Sequence, residues 1–121
     1  MELDEELERC REWIEAALEY SGGTYLFEDV VNQVKTGMLQ FWPAPDACAV
    51  TEIITYPRKK VLHIFLAGGN MDTLLDMNDS AERFAKLNDC AGVSLAGRPG
   101  WAKILNKKGW SPSYMTLGKD I

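Results

Sequence analysis

The stretch AGVSLAGRPGWAKILNKKGW, residues 91–110, decides the fold that the sequence predicts. Its first part, around Val93, reads as a short apolar strand that ends in a turn at Gly97. Pro99 opens a short helix over 99–108, because proline lacks the N–H that a first helical turn would leave unpaired. Gly109 ends this helix, since glycine accepts the positive φ found just past a last turn. Strand, turn and helix, closed by glycine and tryptophan, form a compact α/β unit.

The segments before this unit alternate between helical and extended patterns. Apolar residues recur at three- and four-residue steps in three segments, which predicts amphipathic helices over 2–20, 25–35 and 71–87. Asn70 is the expected N-cap of the third helix. Apolar and β-branched runs bounded by proline and glycine predict strands over 38–42, 48–56, 61–66 and 90–96, with a last strand over Tyr114–Leu117.

These elements define a topology. The first three strands form an antiparallel meander, and the strand–helix–strand that follows is a right-handed crossover between parallel strands. The predicted fold class is therefore α/β, with a mixed sheet, helices on both faces and a short C-terminal helix and strand.

Composition and charge narrow the class of protein. A length of 121 residues indicates one domain, 1–121, and 46% hydrophobic residues suit a globular chain. The net charge of −5 argues against non-specific binding of nucleic acid, which depends on neutralising phosphates. No apolar run is long enough to span a bilayer, and the acidic start MELDEELE is unlike a signal or transit peptide. We therefore expect a cytoplasmic protein with no nucleic-acid or membrane partner.

Metal and disulfide sites are not expected either. Cys10, Cys48 and Cys90 are far apart, and His63 is the only histidine. This spacing matches neither a zinc site nor a disulfide framework. Because free cysteines are commonly buried, we expect three plain thiols in the core.

The order of elements and the closing motif resemble those of the GNAT superfamily of N-acetyltransferases. AKILNKKGW at 102–110 is similar to that family's closing pattern, in which a short helix ends in Lys-x-Gly-aromatic, and MTLGKDI at 115–121 is similar to its final strand. The resemblance covers most of the chain, without a clear first strand or the usual last hairpin. More narrowly, the Gly-Arg-x-Gly-Trp element at 97–101 resembles one in small GNAT-like proteins of tailed phages, which implies a host cytoplasm or a virion as the location.

The resemblance implies a site for acetyl-CoA or CoA at the turn after the central strand. In active family members this loop reads Arg/Gln-x-x-Gly-x-Gly/Ala, and its backbone N–H groups hold the pyrophosphate with the helix N-terminus. Aligning the helix leucines places Leu66 at the Arg/Gln position, Gly69 at the first glycine and Met71 at the second, so one position of three matches. The family's tyrosine acid corresponds to Leu105, which has no proton to donate. The cofactor-binding residues implied are Leu66, Ala67, Gly68, Gly69, Asn70, Met71 and Arg98.

Glu52 and His63 are the best acid–base pair that the sequence offers. If the turn at 57–60 is symmetric, Glu52 opposes Phe65 and lies diagonal to His63 on one face of the sheet. Active GNAT enzymes often carry a carboxylate on these strands, which implies a base that deprotonates an amine directly or through water. The alternative is a solvated strand carboxylate beside a hydrogen-bonded core histidine.

The other candidate residues also have two interpretations each. The glycines at 68–69 with Asn70 are either the remnant of an anion site or an ordinary strand-to-helix turn. Arg98 follows a strand at the edge where α/β sheets bind ligands, so it either holds a phosphate or a partner's carboxylate, or pairs with an acidic helix. Trp42 and Trp101 lie at element ends and are candidates for a contact surface.

Three functional hypotheses follow. The first is a GNAT-like domain with a degenerate acetyl-CoA loop, a weak or non-catalytic binding or structural protein whose partner is another protein or a second copy of the chain. The alternative is an active N-acetyltransferase that moves an acetyl group from acetyl-CoA to an amine, with Glu52 or His63 as base. The third is a regulatory module that binds CoA or another phosphate-bearing ligand without catalysis. None of them implies a metal.

Overall fold

The computed structural model describes residues 2–97, 100–113 and 116–121. The elements in chain order are α1 (Leu3–Arg9), α2 (Arg11–Leu18), α3 (Phe27–Lys35), β1 (Gln40–Ala44), β2 (Ala47–Thr55), β3 (Lys60–Gly69), α4 (Met71–Leu87), β4 (Gly92–Leu95) and α5 (Gly100–Asn106). The described strands form one sheet in the order β1-β2-β3-β4. β1, β2 and β3 pair antiparallel, and β4 pairs parallel to β3 across α4. The predicted α/β fold, with its meander and parallel crossover, is confirmed.

The helices largely follow the predicted pattern, with one interruption. The segment predicted as one helix over 2–20 is two short helices that meet at Cys10, whose φ of −90° and ψ of 0° depart from helical values. α3 begins at Phe27, and the carboxylate of Asp29 accepts the N–H of the N-cap residue Leu26 at 2.8 Å. α4 has the predicted bounds, and the side chain of Asn70 accepts the N–H of Thr73 at 3.2 Å, which confirms the predicted cap.

The central strand β3 is longer than predicted. It runs through the segment expected to be a loop, and Gly68 and Gly69 pair with Cys48 and Ala47 of β2. A two-residue turn at 45–46 joins β1 to β2, which lets β2 begin early enough to pair with the end of β3. The predicted loop over 67–70 is therefore mostly strand.

A bulge in β3 changes the pairing halfway along the sheet. Val50 pairs with Leu66, but the next residue, Thr51, pairs with Ile64, so Phe65 is left over. An extra residue of this kind turns two consecutive side chains to one face. Phe65 and Leu66 accordingly both pack against the core under α1–α3.

The two faces of the sheet carry separate cores. α1, α2 and α3 cover one face, with a core that includes Leu7, Ile14, Val30, Val50 and Leu66. α4 covers the other face, where Leu62 packs with Ala81 and Ala85. Within the described ranges, no helix is long and apolar enough to cross a membrane, and no group of three or more His, Cys, Asp or Glu side chains could hold a metal ion.

The cysteines are free thiols in different environments. Cys10 and Cys48 are buried as expected, and burial raises the pKa of both thiols, which keeps them protonated and unreactive. Cys90 is only half-buried, so the prediction that all three lie in the core is wrong for this residue.

The C-terminal part agrees with the prediction only as far as α5. That helix begins at Gly100 and ends at Asn106, and Gly109 has the expected positive φ, +90°. Arg98, predicted as a ligand residue, and Tyr114, where the last strand was predicted to begin, lie outside the described residues. Leu117, the predicted end of that strand, is in neither helix nor strand and is exposed.

Candidate functional site

The residues predicted to bind a cofactor, apart from Arg98 outside the described residues, lie at the end of β3 and the start of α4. Leu66 is 4% exposed in the core beneath α1–α3, so its side chain does not reach the turn. Ala67 lines a cavity on the α4 face instead. Ordinary strand alternation thus places these neighbouring side chains on opposite faces of the sheet.

The two glycines are in close contact with other parts of the chain. A Cβ on Gly68 would lie 2.9 Å from Cβ of Trp13 and 3.2 Å from its carbonyl oxygen. Gly69 has a φ of +104°, and a Cβ there would meet the carbonyl oxygen of Asp46 and lie 2.5 Å from Cα of Ala47. Packing of α2 and of the β1–β2 turn therefore requires both glycines, with or without a ligand.

The N-terminus of α4 already has an internal carboxylate beside it. The hydroxyl of Thr73 donates to Asp46 Oδ1 at 2.8 Å, and the N–H of Asn70 donates to the carbonyl oxygen of Asp46 at 2.9 Å. Asp72 adds a second carboxylate in the first turn. Negative charge is favourable at the positive end of a helix, so these two residues take the electrostatic role that a bound anion would have.

Sequence reasoning missed the part that Asp46 plays. The residue stands in a turn cluster 24 positions before Asn70 (70 − 46), and nothing in that cluster indicates that the turn folds over the start of α4. Only the pairing of β2 with β3 brings Asp46 to this turn: β2 starts right after Asp46, and its first residue pairs with the end of β3.

A second group of polar residues forms a row across three neighbouring strands. Glu52 of β2 pairs directly with His63 of β3, and His63 pairs with Ser94 of β4. The prediction placed Glu52 opposite Phe65; that register is wrong by two residues because the turn pairs Thr55 with Lys60. Glu52 and His63 are consequently closer than the diagonal prediction implied.

This row occupies the α1–α3 face of the sheet and is partly exposed to solvent. The residues next to it in the strands, Ile53, Leu62 and Val93, point into the core under α4, so alternation directs the row to the opposite face. Each of its three members is half-buried. Beside it, the rings of Phe65 and Tyr25 lie 4.8 Å apart between centroids.

His63 is held in its neutral form at neutral pH. Burial lowers its pKa below the usual 6.5, and the charge of Glu52 only partly opposes that effect. Nδ1 of the imidazole lies 2.8 Å from the hydroxyl oxygen of Ser94, and which of the two donates depends on the tautomer. The sequence does not assign Ser94 to this row, because its pattern predicts the parallel pairing of β3 with β4 without a register.

A cavity of about 50 Å³ lies on the other face, next to Ile64 and Leu95, the last pair between β3 and β4. Its walls are mostly apolar, and they include Trp42, Trp101 and Trp110 together with Leu105. Leu105 is 6% exposed and supplies no acid at this wall.

The polar side of the cavity is already satisfied internally. Nε1 of Trp42 donates to the hydroxyl of Thr51 at 3.0 Å, and that hydroxyl donates to Gln40 Oε1 at 2.9 Å. The cavity therefore suits an apolar group. The β3–α4 turn suits a pyrophosphate poorly, since carboxylates and core packing occupy the positions that would receive one.

The sequence matches no protein-family model and no curated protein. Solved structures do resemble it. An acetyltransferase of Trypanosoma brucei superposes with a TM-score of 0.67 at 13% identity, covering 100% of this chain and 96% of that one. Glucosamine-6-phosphate N-acetyltransferase of Arabidopsis thaliana gives a TM-score of 0.63 at 14% identity, with 95% and 93% covered.

A GNAT family acetyltransferase of Staphylococcus aureus gives a TM-score of 0.59 at 10% identity, with 97% of this chain and 93% of that one covered. At such low identities the likeness shows the fold alone, which is the mixed α/β fold of the GNAT acetyltransferases. Function has to be argued from the residues of the site.

Proposed function

We propose that this chain is a GNAT-fold domain that has lost efficient acetyl-CoA binding and acts as a binding or structural module. The observation that carries the proposal is the Asp46 carboxylate at the N-terminus of α4, bonded to Thr73 at 2.8 Å. A pyrophosphate brought to the same turn would meet two carboxylates, from Asp46 and Asp72, and no cation among the residues 66–73. Like charges at short range disfavour that approach.

Isothermal titration of the folded protein with acetyl-CoA and with CoA tests this proposal. We expect no saturable heat with either ligand at about 1 mM, a limit that corresponds to about −4 kcal/mol of binding free energy. The matched variant is Asp46→Asn, which removes one negative charge and keeps a side chain of the same size. Micromolar binding by the wild-type protein would contradict the proposal.

An active N-acetyltransferase is the second candidate, and the direct pairing of Glu52 with His63 supports it. A neutral imidazole and a carboxylate on a partly exposed sheet face are suitable bases for an amine. Turnover of acetyl-CoA by the wild-type protein with an amine acceptor would displace the first proposal. If Glu52→Gln and His63→Ala then left turnover unchanged, the assignment of these two residues as bases would be wrong.

A regulatory module that binds CoA or another phosphate-bearing ligand without catalysis is the third candidate. It shares the titration above, and saturable binding without turnover is its expected result. Mutation of Gly69 is a poor test of it, since the packing of Ala47 against Gly69 makes any substitution there a change in the fold. Asp46→Asn alters the same turn without adding atoms to it.

The partner of a binding module is, in our proposal, another protein or a second copy of this chain. The 97–101 element is also the basis for proposing a protein of the kind encoded by tailed phages. Light scattering of the purified chain over a range of concentrations distinguishes self-association from a monomer that needs another protein.

A further inference from the structure

Ser94 is a nucleophilic side chain that no acetyl-CoA chemistry in this chain uses. Its hydroxyl oxygen lies 2.8 Å from Nδ1 of His63, within range of direct proton transfer. Glu52 lies on the far side of His63 in the same row. A serine hydroxyl, an imidazole and a carboxylate lie in such a row in unrelated acyl-transfer enzymes, where the other two groups activate the serine. These sites are recognised by their geometry and not by the order of the residues in the chain.

We propose that Ser94, His63 and Glu52 form a nucleophilic site that cleaves small neutral carboxylic esters, with Ser94 as the nucleophile and His63 as its base. The inference is independent of CoA binding, because no part of the β3–α4 turn takes part in it. Glu52 is a positioning residue in this site: its charge acts on the imidazole and stabilises the imidazolium that forms.

Each step balances with water as the only co-reactant. The Ser94 oxygen forms a bond to the ester carbonyl carbon while its proton moves to Nδ1 of His63. The tetrahedral intermediate expels the alcohol, which takes that proton, and leaves an acyl-serine. His63 then takes a proton from water while the hydroxide attacks the acyl-serine carbonyl carbon. The bond from that carbon to the Ser94 oxygen breaks, the Ser94 oxygen takes the proton back from His63, and the carboxylic acid is released.

The surroundings of the row select the substrate class. Phe65 follows His63 by two residues on the same face, and its ring stacks at a tilt on Tyr25. This aromatic wall offers apolar contact to an aryl or short acyl group. Glu52 supplies a negative charge in the row itself, which disfavours anionic substrates and leaves neutral esters as the fitting class.

A fluorophosphonate probe tests the nucleophile without the need for turnover. An activated serine forms an O–P bond and displaces fluoride, and His63 takes up the proton. We expect one adduct, located by peptide mass spectrometry on Ser94. We expect labelling about 10²-fold slower in His63→Gln, at the low end of what a positioned base contributes. Ser94→Ala should abolish the adduct, whereas the matched control Ser111→Ala, at an exposed serine remote from the row in sequence, should label at the wild-type rate.

Hydrolysis of p-nitrophenyl acetate provides the second measurement. The Cys90→Ser variant should hydrolyse this ester at the wild-type rate, which excludes the half-buried thiol as the nucleophile. Glu52→Gln should move the pH–rate profile to lower pH, since the charge of Glu52 raises the pKa of His63. Glu52→Asp should restore part of the shift. Among the charged groups of the described elements, the carboxylate of Glu52 is the one whose charge shifts the pKa of His63.

An adduct on another residue, or a Ser94→Ala variant that still labels, would overturn the proposal. Equal labelling of folded His63→Gln and wild type would also overturn it. Circular dichroism and the melting temperature of each variant show that it is folded, so a lost activity cannot be confused with a lost structure. These outcomes do not depend on whether the protein binds CoA.

Discussion

Alanine at Gly69 tests whether the packing of the β1–β2 turn requires this glycine. A residue other than glycine destabilises the folded protein by about 1–2 kcal/mol when its φ lies in the left-handed region. Gly69 has a φ of +104°. The added Cβ would also lie 2.5 Å from Cα of Ala47. Crowding of this kind costs about 1–3 kcal/mol more. The expected loss in the free energy of unfolding is therefore about 2–5 kcal/mol, against a total of about 5–15 kcal/mol for a native domain.

Two other glycines separate these contributions. Gly22 has a φ of +72° and nothing within 4 Å of a Cβ, so alanine there reports the cost of φ alone, about 1–2 kcal/mol. Gly68 has an ordinary strand conformation and a clash with Trp13, so alanine there reports crowding alone, about 1–3 kcal/mol. Alanine also reduces the entropy of the unfolded chain by the same amount at each site, so that contribution cancels in the comparison.

The measurement is urea unfolding followed by the fluorescence of the four tryptophans. A constant m-value across the series shows that the same two states are compared. If Gly69→Ala lost no more stability than Gly22→Ala, the packing of the β1–β2 turn would not be the reason for this glycine. A fully stable Gly69→Ala protein with altered affinity for CoA would refute the reasoning altogether and favour a ligand site.

Three further predictions concern other parts of the chain. The pKa of His63 is lower in the folded protein than its usual 6.5, so the unfolded chain binds more protons at pH values between the two. The free energy of unfolding should therefore fall as pH drops through 6.5 and become constant below the folded pKa. Urea unfolding of the wild type and of His63→Gln at several pH values measures this. Thr51→Val removes a buried hydroxyl and leaves Nε1 of Trp42 unpaired, which should cost about 1–3 kcal/mol in the same assay. Asp46→Asn weakens the interaction with Thr73 and with the positive N-terminal end of α4. We expect the free energy of unfolding to fall by about 0.5–1 kcal/mol and the melting temperature to fall accordingly.

Each of these has a result that would contradict it. A pH dependence that is identical in wild type and His63→Gln would mean that the imidazole has the same pKa in both states. An unchanged stability of Thr51→Val would show that water satisfies the indole N–H. A more stable Asp46→Asn protein would mean that the carboxylate is repelled at the turn, by Asp72 for example, and not favoured by the helix.

Local patterns explain why several elements were predictable. α4 has its predicted bounds because its apolar periodicity and its cap at Asn70 depend only on neighbouring residues. Gly109 marks the end of the last helical segment for the same reason. The break at Cys10 was not visible, since the apolar stripe of residues 3–18 continues through it and the change in backbone angles leaves that stripe intact.

The polar row shows how far a strand pattern can be taken. The predicted register placed Glu52 opposite Phe65 and the structure places it opposite His63. A shift of two residues keeps every side chain on its face of the sheet. The prediction that Glu52 and His63 share a face is therefore correct although the predicted register is wrong. Ser94 could not be assigned to the row, because the register of a parallel strand depends on how the intervening helix packs.

The sequence alone determined the order of the strands β1 to β4, the mixed sheet and the presence of two glycines just before α4, all of which follow from local periodicity and turn chemistry. Only the tertiary structure decided what those glycines face. Their neighbours are Trp13 and the turn at Asp46, which come from distant parts of the chain. The space available to a Cβ is set by segments that pack there after folding, and a local motif contains no information about them.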